Sequence, residues 1–206
     1  MSCIFLGMAF ASTLAWSDVL KGYRSLLENA RGARTYCYVL VNSLFHSGIY
    51  TWLGVFFAER YRLHEIGIGL ALLGYGVPGF ILGPIIGRWA DRWERRWVVP
   101  LGLAIAALSA AALILDVPLL AAGLAVTLLS LGYDMTQPLL AGIVTHLGGK
   151  RAGQAIGLNV FALFTGFGLG SLLFGAVVPH GFGTALALFS SVQLASALVA
   201  VLLFPQ

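Results

Sequence analysis

The residue with the most evident chemical potential is Asp134, which lies well inside the long apolar run Val117–Leu147. An ionised carboxylate at bilayer depth costs roughly 2.5–3.5 kcal/mol on insertion scales unless it meets water or a partner. A group held there at that expense is suited to carrying a proton or gripping a polar solute. Gln137 stands about one turn further on, and Pro138 loosens the backbone beside it. In a separate apolar run, Asn42, His46 and Tyr50 recur at i, i+4 and i+8, so a helix places them on neighbouring faces. Asp134 and His46 are the leading candidates for proton coupling or solute contact, with Asn42, Tyr50 and Gln137 beside them. The same side chains also admit a plainer reading as hydrogen-bonded contacts between helices. Asn159 and Gln193, taken singly, are read that way.

Other chemistries fit poorly. His46, His64, His146 and His180 are dispersed along the chain and do not form the cluster that a metalloenzyme needs. Cys3 and Cys37 sit among apolar neighbours without metal-ligand spacing. No serine lies in a recognisable nucleophile setting, and no phosphate-cradling glycine motif is present. The sequence therefore predicts no metal, no cofactor, no enzymatic activity and no direct use of ATP.

The elements that must position these residues are membrane helices. Of 206 residues, 59% are hydrophobic and only 10% charged, against about a quarter charged in soluble domains. A fold of this size cannot hide that much apolar surface from water. The net charge of +4 comes from short basic clusters between apolar runs, a placement that fits membrane orientation rather than nucleic-acid binding. Six runs approach or exceed the ~20 residues needed to cross a bilayer: Tyr36–Ala58, Ile66–Gly87, Trp97–Leu115, Val117–Leu147, Ala152–Pro179 and Phe182–Phe204. Helices satisfy every backbone group in lipid, and no alternation of period two supports a barrel.

Ahead of these spans, residues 1–17 read as a partial membrane helix, the tail of a longer one, since no base precedes its apolar stretch as in a signal peptide. Residues 18–35 read as an amphipathic connector on the membrane surface, and residues 36–204 as the six-helix domain. With the connector placed in the cytoplasm, ten bases (Lys21, Arg24, Arg31, Arg34, Arg88, Arg92, Arg95, Arg96, Lys150 and Arg151) lie inside, and Arg60 and Arg62 outside. The positive-inside rule selects this orientation, with a cytoplasmic C-terminus, in a multi-pass protein of the cell (inner) membrane.

After the second span comes Gly87-Arg88-Trp89-Ala90-Asp91-Arg92-Trp93-Glu94-Arg95-Arg96. This resembles the cytoplasmic loop signature of the major facilitator superfamily, G-x-x-x-D-R/K-x-G-x-R/K-R/K. Gly87, Asp91, Arg92 and Arg96 match in register, with Arg95 close by, while Glu94 replaces a preferred glycine. The stretches 132–142 and 157–170 resemble helices of drug- and sugar-efflux members, so the resemblance runs over roughly residues 20 to 204. It implies a bundle of two inverted three-helix repeats, residues 36 to 115 and 117 to 204. It also implies that the helices bearing His46 and Asp134 line a central cavity.

A full member has twelve helices, so the chain corresponds to one half. The absence of an arginine in the fourth span and of Gly-Pro in the fifth points to the second, C-terminal half. Gly79, Gly83, Pro84 and Gly87 resemble the family's antiporter motif, but in the second span, where close packing and a kink are the simpler account. Gly166 and Gly170 form a second small-residue pair for helix packing. The implied function is secondary active transport of a small solute, by efflux and with proton coupling. The implied partners are the lipid bilayer and a first six-helix half. The competing reading is a truncated or non-transporting membrane assembly or scaffold protein.

Overall fold

A computed structural model of the chain describes residues 16–77, 79–81 and 95–204. The described residues are helical apart from short turns. Helix α1 is Trp16–Glu28, α2 is Ala30–Tyr61 and the short α3 is Glu65–Ala71. Then come α4, Arg95–Ala112; α5, Leu119–Gly148; α6, Ala152–Val177; and α7, Phe182–Leu203. By length and hydropathy, α2, α7 and the stretch Leu119–His180, which holds both α5 and α6, can cross a membrane; the apolar part of α4 is shorter.

The connector and the first span meet at Asn29, whose side chain accepts the Arg31 N–H at 3.0 Å and caps α2. Helix α2 thus begins six residues before the apolar run, and its 32 residues reach about 48 Å, beyond the hydrocarbon core at its ends. Its far end is fixed by Arg60, which donates to the Leu115 carbonyl at 2.8 Å and pairs with Asp116 at 2.6 Å. Tyr36, near its start, donates to the Ala155 carbonyl on α6. The α1–α2 junction therefore shares one end of the bundle with the α5–α6 turn, and Arg60 shares the other with the α4–α5 loop.

In lipid, apolar surface gives helices little reason to associate, so close backbone approach has to supply the packing. Small residues permit it. A Cβ on Gly166 would lie 2.5 Å from the Leu40 carbonyl, and one on Gly170 would lie 2.1 Å from the Leu44 carbonyl. These glycines let α6 lie directly on α2. Gly102 and Gly132 do the same for α4 and α5, where a Cβ on Gly132 would be 2.4 Å from the Gly102 carbonyl. Helix α7 packs mainly on α4 and more lightly on α2. Phenylalanine and leucine side chains such as Phe57, Leu113, Leu129 and Phe174 fill the interior between these contacts.

The second expected span departs from a simple helix. Helix α3 ends at Ala71, a turn runs through Leu72–Gly76, and helical geometry resumes at Val77. Gly76 takes φ +78°, a left-handed conformation open to glycine and strained for other residues. The rest of that span, with Gly83, Pro84 and the loop-motif residues Gly87, Asp91 and Arg92, lies outside the described residues, as do residues 1–15. Arg95 and Arg96 open α4.

Candidate functional site

The break in the second span is sewn to α5. The Gly76 N–H donates to Ser130 Oγ at 3.0 Å, and Ser130 Oγ donates to Asp134 Oδ2 at 3.2 Å. The Gly79 N–H also donates to the Asp134 carboxyl, and a Cβ at Gly79 would sit 2.7 Å from Oδ2. Gly79, expected as a packing glycine, is thus the residue that lets backbone approach the acid. The carboxyl meets the first turn of the resumed helix, where free N–H groups favour a negative charge. Pro138 sharpens the local polarity, because it has no N–H to offer the Asp134 carbonyl one turn earlier in α5.

His46, 4% exposed, faces the same region from α2. Its Nε2 is hydrogen-bonded to the Tyr75 hydroxyl, from the turn before Gly76. Its ring stacks on Tyr133, Asp134's chain neighbour, at a centroid distance of 3.8 Å. Tyr50 stacks on Tyr75 at 3.9 Å, and Phe167 of α6 comes within 6.2 Å of His46. Asp134 and His46 are therefore members of one cluster, joined by Tyr133 and by the broken segment. Among the described residues they share no direct hydrogen bond.

Asn42 behaves differently. It is 1% exposed, donates to Thr136 Oγ1 at 2.8 Å and accepts from Gln193 Nε2 at 2.9 Å. It clamps α2 to α5 and α7, with both ends of its amide engaged. Gln193, read from sequence as a packing contact, is half of that clamp. Gln137, 9% exposed, has neither side-chain oxygen nor nitrogen paired among the described residues, and the same holds for His46 Nδ1 and Asn159 Oδ1. A buried polar atom without a partner costs about 1–3 kcal/mol, so these atoms favour a polar occupant beside them. Tyr50, 38% exposed, marks the open edge of the cluster.

Sequence reasoning missed Tyr75, Ser130, Tyr133 and Phe167. Ser130 had a usable signal, since it lies one turn before the only intramembrane acid. Tyr75 had another, the Gly74-Tyr75-Gly76 triplet that interrupts a membrane run. No group of three or more candidate metal ligands occurs among the described residues.

A polytopic α-helical membrane protein, with a carboxylate, an imidazole and tyrosines gathered at a broken span, is the class these features define. The chain matches the family model of the Major Facilitator Superfamily over residues 35–206, and it belongs to that superfamily. It is accordingly an integral membrane protein of a family that moves solutes rather than transforming them. No curated protein and no solved structure matches it significantly.

Proposed function

We propose that the chain is the second six-helix half of a secondary active transporter that exports a small solute at the expense of a proton gradient. The observation that carries this reading is the Asp134 site: a membrane-embedded carboxyl tied to a broken helix, beside buried polar atoms of His46 and Gln137 that lack partners. Discontinuous spans near the bilayer midplane are where transporters build solute and ion sites. Asp134 takes and releases the coupling proton, His46 and Tyr75 relay or sense it, and Gln137 with the tyrosine faces contacts the solute.

The pairing of helices supports two inverted three-helix units. Taken in span order, the first packs on the fifth and the second on the fourth, while the third packs on the fourth and the first on the sixth. Each contact is the mate of the other under exchange of the two units. The exposed aromatic and aliphatic surface of the second and fifth spans, including Phe80 and Phe161, is the face offered to a first half. The bias of the basic residues supports a cytoplasmic C-terminus in this reading, with the cell (inner) membrane as the location that goes with it.

The test is transport by proteoliposomes containing the chain together with its first half. Asp134→Asn is expected to abolish solute accumulation driven by a proton gradient, while exchange of solute down its own gradient survives. Undiminished proton-driven transport in that variant would remove Asp134 from coupling. Absence of flux with any first half would favour the assembly-protein reading.

A further inference from the structure

At the end of the bundle away from Arg60, a cavity of about 260 Å³ opens between α1, the start of α2 and the α5–α6 turn. It is separate from the Asp134 site. Lys150 and Arg151 line it, together with Ser25, Asn29 and Gly32, and among the described residues no acidic side chain does. Its walls are held in place. Arg151 Nη1 donates to Ser25 Oγ at 2.9 Å, the Leu26 carbonyl lies where a Cβ on Gly32 would have to go, and Gly22 rests against Gln154. The amino end of α2 faces the space with its partial positive charge. The carbonyl end of α5, at Leu147 and Gly148, opposes that charge, and the two bases that follow it outweigh the opposition.

We propose that this cavity binds a phosphate group, presented by an anionic lipid headgroup or by a free phosphate. The volume is several times the ~30 Å³ share of a water molecule, enough for a tetrahedral oxyanion with part of its hydration. The two bases supply opposite charge, Arg151 from a forked guanidinium and Lys150 from a movable ammonium. Asn29, whose side-chain oxygen is taken by the Arg31 N–H, can turn its amide N–H to the space, and the cavity lies at a bundle end, the depth at which headgroups sit. Basic pockets between membrane helices are established places for such groups. Occupancy would pin α1 against α6, since the ligand bridges Asn29 at the end of one and Arg151 ahead of the other.

Native mass spectrometry of the detergent-solubilised full chain tests this. Phosphatidylglycerol and phosphatidylcholine are titrated separately, with and without millimolar inorganic phosphate. Phosphatidylglycerol is expected to bind at least about tenfold more tightly than phosphatidylcholine, and Lys150→Gln with Arg151→Gln to remove that preference. Lys150→Gln alone, which leaves the Arg151–Ser25 bond in place, is expected to weaken it, and Arg62→Gln at the opposite end to leave it intact. Binding of phosphatidylglycerol without competition from phosphate identifies the headgroup as the ligand. Phosphate binding lost in the double variant, without a lipid preference, identifies the free anion. Equal binding of both lipids with no phosphate bound, or a preference unchanged in the double variant, overturns the proposal.

Discussion

Ser130 shows how a single hydroxyl joins two elements. It accepts from the backbone at Gly76 and donates to Asp134, so its removal leaves that N–H short of a partner and the carboxyl with one donor fewer. Ser130→Ala is expected to cost about 1 kcal/mol, in the range of hydrogen bonds inside membranes. The expected readout is a lower thermal midpoint in detergent, and an unchanged midpoint would mean that the broken segment is held by other contacts. Ser130→Thr, which keeps the hydroxyl, should recover most of the loss. Asp134 itself was legible in the sequence because a charge amid apolar residues is conspicuous. Its partners were less so: Ser130 offers only its place one turn before the acid, and Gly79 acquires a role only through the distance between two spans. Asn42 shows the reverse: its spacing with His46 and Tyr50 grouped it with the solute candidates, while its neighbours Thr136 and Gln193 occupy its amide.

Glycines decide the fit between elements. Gly166 and Gly170, four apart, were readable as a packing stripe, and they lie on the backbone of α2. Gly102 and Gly132 were not readable, because each is isolated in its own segment and only the fold brings them face to face. Gly170→Leu is expected to destabilise the protein by more than the 1–3 kcal/mol typical of overpacking, because the obstacle is the Leu44 carbonyl and not a movable side chain. Gly168→Leu, where an added Cβ meets nothing within 4 Å, should leave expression and monodispersity unchanged. Equal behaviour of the two variants on size-exclusion chromatography would contradict the packing. The second span exposes a limit of hydropathy. Ile66–Gly87 is apolar throughout and reads as one helix, but a window average carries no information about backbone dihedrals. The break depends on a left-handed residue that Gly76 supplies.

For the whole molecule, the distribution of bases and the ion pair that ties Arg60 to Asp116 describe the same alternation of ends. Single cysteines introduced at Ala90 and Val178, with Cys3 and Cys37 replaced, are expected to react with a membrane-impermeant maleimide from opposite sides. Labelling of both from one side would refute this topology. The all-helical, membrane-crossing character of the chain was legible because lipid leaves the backbone few alternatives. How the helices lean on each other was not, since that is settled by contacts between residues more than a hundred positions apart, such as Trp52 with Ser171. The turn at Leu72–Gly76 has a further use. Its amides are held by short local bonds and by one serine, without a continuous helical ladder. An amide so loosely tied exchanges its hydrogen for deuterium as soon as solvent arrives, and lipid brings none. The isotope content of this five-residue stretch would therefore serve as a clock for water entry, timing how often the path to Asp134 opens.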